Sequence, residues 1–142
     1  MLTFGMRQNL IMATGESLSI VREMALVDSE NLVAATERLR SDLAHHSTLT
    51  QEIAQTVATG APIVDALLAG QSSSWRPALS DSIRNFEKIR HRTRLRLIAV
   101  ALEDGMTLLD VAREWGITRQ LATRYAREIE DLEAASAQSE PT

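Results

Sequence analysis

The sequence predicts an all-α protein, and three observations lead to that prediction. Only six glycines and three prolines interrupt its 142 residues, and these are the residues that most often break helices. The long alternating runs of β-branched and aromatic residues that are typical of strands do not occur in it. Apolar residues instead recur at the three- and four-residue spacing of an amphipathic helix.

The first 70 residues are expected to form several short amphipathic helices. One pattern covers roughly residues 10–27, and a second begins at Asp28 or Ser29, either of which can act as an N-cap. Thr48 followed by Gln51 resembles a capping box that opens a third helix. The first and second helices, or the second and third, could instead be continuous. A short fourth helix is expected within "PIVDALLAG".

Helices of this size gain stability by packing against one another or against a second copy of the chain. Residues 1–70 are therefore interpreted as a dimerisation or interaction region. A monomeric bundle, a ligand sensor and a docking surface for another protein remain open for this half.

The second half is expected to begin after a linker. The stretch "GQSSSWRP" is poor material for continuing a helix, so residues 71–79 are predicted to be a linker. Ser80 can then cap a long helix from about Asp81 to Glu103, which Gly105 ends. Residues 80–133 are predicted to be a second domain, and the polar residues 134–142 a disordered tail.

Positive charge is concentrated in this second half, although the whole chain carries a formal net charge of −4. Residues 76–127 hold eleven Lys and Arg against six Asp and Glu. Residues 1–75 hold four Arg against eight acids, and the part after residue 127 holds five acids and no base. Because local charge sets the attraction to phosphate, the basic segment is the candidate for binding nucleic acid.

The stretch "TLLDVAREWGITRQLATRYARE" predicts two helices separated by a tight turn. Thr107 and Asp110 form a capping-box-like start. Gly116 suits a sharp turn, and Thr118 can cap the next helix, over residues 119–132. The small Ala112 is expected where the two helices cross. The residues predicted to face inward are Val111, Trp115, Ile117 and Tyr125.

The longer stretch "EDGMTLLDVAREWGITRQLATRYARE" resembles the helix-turn-helix of bacterial transcription regulators. It is similar also to the C-terminal module of site-specific recombinases and to sigma-factor region 4. The resemblance covers under a third of the chain, and Ala122 stands where these families usually have Val or Ile. With Leu95, Ile98 and Leu102 of the preceding helix, the stretch is expected to form a tri-helical unit. The matching residues are Gly105, Met106, Thr107, Val111, Ala112, Trp115, Gly116, Ile117, Thr118 and Arg119.

The resemblance implies that the second helix enters the major groove of DNA with its first residues against base edges. Arg can bond two guanine acceptors at once, and Gln can do the same for adenine. Thr107 and Thr118, at helix starts, suit phosphate oxygens. The residues expected to read bases are Arg119, Gln120, Thr123, Arg124 and Arg127.

A second basic feature lies in "RNFEKIRHRTRLR". Arg84, Lys88, Arg92 and Arg96 follow one another at a strict four-residue spacing, which on a helix gives one basic stripe. We expect this stripe to contact the phosphate backbone. Alternatively, its arginines pair with acids of the N-terminal half.

Other classes of protein find little support in the sequence. The chain has no cysteine, and the adjacent His45 and His46 point apart on a helix, so neither a metal site nor a cofactor is expected. No nucleophile–base spacing, Gly-rich phosphate loop or paired-carboxylate motif indicates an enzyme. No signal peptide and no membrane-spanning run is recognisable, so a cytoplasmic location without membrane contact is expected.

The sequence therefore predicts a bacterial transcription regulator that binds double-stranded DNA sequence-specifically as a homodimer. The alternative is a helical adaptor that binds another protein, such as RNA polymerase or a sigma factor.

Overall fold

The structure, a computed structural model, describes residues 17–69 and 72–138. No strand occurs among them, so the prediction of an all-α fold is confirmed for the described residues. No helix in the described ranges combines the length and the apolar character that crossing a bilayer requires. The helices are α1 (Ile20–Thr59), α2 (Ile63–Ala69), α3 (Ser72–Glu103), α4 (Leu108–Trp115) and α5 (Arg119–Gln138).

Helix α1 is a single helix of 40 residues, so the predicted N-caps within it are wrong. Asp28 is 6% exposed and binds arginine side chains of α3. The hydroxyls of Ser29 and Thr48 donate to the carbonyls four residues earlier, at 2.7 and 3.2 Å. Ser and Thr hydroxyls commonly make this bond inside helices, so both residues are compatible with a helix that continues through them. Residues 10–16 of the first predicted helix lie outside the described residues.

Helix α3 begins at Ser72, nine residues before the predicted start, so residues 72–79 are helical and not an irregular linker. Pro77 lies in the second turn of α3, where its missing N–H removes one hydrogen bond close to the helix end. At the other end of the chain, α5 continues to Gln138. The first five residues of the predicted tail are therefore helical, and the last four lie outside the described residues.

The described residues divide into two compact units, one of residues 17–30 with 90–138 and one of residues 31–89. The division passes through α1 and α3, whereas the sequence placed its boundaries at residues 70 and 80. In the first unit, α4 packs against α5, and the end of α3 completes the core. Its buried residues include Leu95, Ile98, Ala99, Val111, Tyr125 and Ile129, with Leu102, Trp115, Ile117 and Leu121 partly buried around them.

The second unit buries few large side chains. Ala35 and Leu49 of α1 are buried, and the hydroxyl of Ser82 donates a hydrogen bond to the carboxylate of Asp42. Several large apolar side chains of this unit are instead exposed at the end of α1 and along α2. They are Val57 at 61%, Val64 at 60% and Leu68 at 72%.

Candidate nucleic-acid interface

Helix α4 begins with the predicted capping box. The backbone N–H of Asp110 donates to the Thr107 hydroxyl at 3.2 Å, and the Asp110 carboxylate accepts from the backbone N–H of Thr107 at 2.9 Å. The Thr107 hydroxyl also donates to that carboxylate, at 2.8 Å. These hydrogen bonds from Thr107 favour the charged carboxylate and lower the pKa of Asp110 below its usual value.

The capping box makes the stability of the fold depend on pH in the acidic range. The pKa of Asp110 is lower in the folded protein than in the unfolded chain. The stabilisation that the ionised carboxylate provides is therefore fully present above the ordinary carboxyl pKa of about 4. It is lost as the pH falls through the pKa of the folded protein. We expect Asp110→Asn to melt below the unaltered protein at neutral pH, and the gap to close as the pH falls below about 4. Thermal melts of both proteins over this range measure the gap. A gap that stays constant with pH would contradict the assignment.

The turn after α4 is formed by Gly116, as the sequence predicts. Its φ of 63° and ψ of 35° are left-handed, a conformation that residues with a Cβ rarely adopt. The N–H of the following residue, Ile117, donates to the carbonyl of Ala112 at 2.9 Å and closes the end of the helix. The chain therefore changes direction here and begins α5 three residues later.

The start of α5 is capped by Thr118, whose hydroxyl oxygen accepts a hydrogen bond from the N–H of Leu121 at 3.1 Å. Ala122, the departure from the family pattern, is fully buried and so still faces inward. The five predicted base-reading residues are all exposed. Their spacing of one, three or four residues places them on one side of the helix. They are Arg119, Gln120, Thr123, Arg124 and Arg127.

These exposed arginines differ in the contacts they make. Within the part of the chain that the structure describes, Arg119 and Arg127 form no ion pair. Arg124 lies 4.0 Å from Glu128, measured from Nε to Oε1. Both arginines without an ion pair are thus available to a partner, while Arg124 is partly neutralised.

Glu128 is a residue of this face that makes two contacts not predicted from the sequence. Its Oε2 lies 2.7 Å from Nε2 of His91 on α3, and the His91 ring meets Tyr125 edge to face with 5.5 Å between centroids. The four-residue spacing from Arg124 signalled one of the two contacts. The contact with His91 depends on how α3 packs on α5, and no local pattern reports that.

The predicted basic stripe of α3 is not a uniform surface. Arg96 is only 7% exposed, and its Nε donates to the buried Asp28 at 3.0 Å. Arg92 also binds Asp28, at 3.3 Å. The prediction that Arg96 contacts phosphate is therefore wrong, and the alternative of pairing with the N-terminal half holds for these two arginines.

The geometry of a helix explains this outcome. Residues four apart advance by about 40° around the axis, so three such steps turn a stripe by about 120°. The stripe begins on the surface at Arg84 and Lys88, which are exposed, and reaches the interior at Arg96. Arg84 also lies 3.3 Å from Asp81 of its own helix.

The two threonines predicted to bind phosphate differ as well. The Thr107 hydroxyl is engaged by the Asp110 carboxylate, whose negative charge lies where a phosphate would bind. The Thr118 hydroxyl accepts from the backbone and keeps its hydrogen for donation. Thr118 therefore keeps a hydroxyl hydrogen that an anion can accept, whereas the hydroxyl of Thr107 is already bonded to a carboxylate.

Comparison with known proteins adds no relative: no family model, curated protein or solved structure matches the chain.

Proposed function

We propose that this protein is a sequence-specific DNA-binding transcription regulator, in which α4 and α5 act as a helix-turn-helix and α5 reads the major groove. The observation that carries the proposal is the exposed side of α5 from Arg119 to Arg127. It presents three guanidinium groups, one carboxamide and one hydroxyl, which are groups that bind base edges. The turn at Gly116 and the core beneath Tyr125 hold this side outward on a rigid support.

The start of α5 favours an anionic partner for a second reason. The positive end of the helix dipole lies at Thr118 and Arg119, where unpaired backbone N–H groups attract phosphate oxygens. The Thr118 hydroxyl can donate to the same phosphate. In this arrangement phosphate contacts at the helix start fix the position, and the residues from Gln120 onward read the bases.

Further phosphate contacts are assigned to the exposed Arg84 and Lys88 of α3. Both side chains are exposed, and contacts of this kind raise affinity for all DNA sequences alike. The buried Arg96 takes no part.

Dimer formation through the second unit belongs to the same proposal. One recognition helix reads few base pairs, so regulators of this type commonly bind as dimers. The second unit exposes three large apolar side chains, Val57, Val64 and Leu68, which contact with a second copy would bury. Between Ile53 and Gly70 the only charged residue is Asp65, so two copies would meet here with little repulsion.

A protein-binding adaptor is the second candidate, and the outer side of α4 favours it. Leu109 is 51% exposed there, and Asp110, Glu114 and Trp115 line a shallow surface groove beside it. With the exposed Arg113, this side of α4 presents acidic, basic and apolar groups together, a mixture that suits a protein partner.

Selection of bound fragments from a random DNA pool separates the two candidates. For the regulator we expect an enriched palindromic consensus with half-sites about one helical turn apart, which also requires a dimer. A single unrepeated half-site would contradict dimeric binding and leave DNA reading intact. No enrichment even at low salt would contradict the regulator and favour the adaptor.

A further inference from the structure

An apolar groove of about 590 Å³ lies within the first unit, at the opposite end of α5 from Arg119. Ala99 and Arg96 of α3 form its floor, and Val21 and Met24 of α1 line one wall. The last turns of α5 form the other wall through Ala137 and its neighbours. Its size falls in the range of sites for small organic molecules, which are also mostly apolar with a few fixed polar groups.

Arg96 supplies the fixed polar group. It is 7% exposed, and its Nε is held by Asp28 at 3.0 Å, so the orientation of the guanidinium is set. The Nη2 atom points toward the groove wall, where its contact with the Ser136 hydroxyl is long, at 3.5 Å. A charged acceptor placed at this edge of the guanidinium would form a shorter and stronger hydrogen bond than Ser136 does.

The charges around Arg96 favour an anion as that acceptor. Asp28 is the carboxylate that binds both Arg92 and Arg96, so the three side chains together carry one positive charge in excess. A guanidinium and a carboxylate form strong paired hydrogen bonds, above all where water is excluded. A cation in the same place would be repelled.

We propose that this groove binds a small amphipathic anion, namely a carboxylate or sulfonate with an apolar body. The anionic group bonds the Nη edge of Arg96, and the apolar body lies along Val21, Met24 and Ala99. Glu133, at the exposed rim, is the acidic residue that opposes such a ligand. Its position at the surface leaves its charge screened by water.

Fluorescence of 8-anilinonaphthalene-1-sulfonate with the full chain tests the proposal. We expect enhanced emission from the bound dye, displaced by decanoate. Decanol should displace it about tenfold less well, since it lacks the charge, and decyltrimethylammonium less well still. Glu133→Gln should strengthen dye and decanoate binding because it removes the opposing charge.

Two tryptophan variants locate the site. Ala137→Trp fills the groove from an exposed position and should abolish displaceable dye binding, whereas Ala135→Trp, an exposed position of α5 that does not line the groove, should not. Thermal melts confirm that both variants fold. Equal dye binding by both variants, or decyltrimethylammonium competing as well as decanoate, would overturn the proposal. So would a change in oligomeric state caused by Ala137→Trp alone, which would identify a second copy as the occupant.

Discussion

Replacing Asp28 with Ala is expected to lower the free energy of unfolding by about 3–5 kcal/mol, the usual cost of removing one partner of a buried ion pair. Asp28 is 6% exposed and Arg96 7% exposed, so the guanidinium would be left in the interior without its counter-ion. Alanine is the best helix former, and the change itself should not weaken α1. Urea denaturation followed by circular dichroism measures the loss.

Two controls separate the charge effect from a general loss of packing. The double variant Asp28→Leu with Arg96→Met removes both buried charges and should recover most of the stability, since an apolar pair of similar volume is often neutral. Asp104→Ala breaks the exposed pair with Arg22 and should cost far less. If Asp28→Ala costs no more than Asp104→Ala, Asp28 is not the buried counter-ion described above.

Local patterns predicted the local features of this chain. The capping box at Thr107, the turn at Gly116 and the cap at Thr118 each depend on a few neighbouring residues, and all three occur in the structure. The inward positions of Val111 and Tyr125 followed from helical spacing in the same way. Such features can be predicted from the sequence because the interactions that form them join residues only a few positions apart.

Features that depend on contacts between residues far apart in the chain could not be predicted from local sequence patterns. Asp28 has the residue type of an N-cap, yet it lies inside a continuous helix, where its carboxylate binds Arg92 and Arg96, 64 and 68 residues later. Arg96 is buried against Asp28 and is therefore not part of the exposed basic stripe. The composition of the stretch "SSSWRP" favoured a linker, whereas in the structure helix α3 begins there. In each case the residue types suited the predicted role, but the contacts that the residues make in the fold gave them a different one.

Replacing Arg119 with Ala is expected to weaken binding to the selected DNA site by about 1–3 kcal/mol and to relax the preference at one base position. Arg119 is exposed and forms no ion pair among the described residues, so the substitution should leave folding intact. The same change at Arg124 also breaks the contact with Glu128 and gives a less direct result. Affinities for the selected site and for random DNA are compared at several salt concentrations.

Lys88→Ala is the matched variant, since it also removes one exposed positive charge. A phosphate contact carries no base information, so this variant should weaken selected and random DNA alike and reduce the salt slope by about one. The ratio of the two affinities therefore distinguishes the roles, because only a base-reading residue changes it. Equal losses on both DNAs for Arg119→Ala would contradict its assignment to base reading, since a contact that weakens every sequence equally cannot select among them.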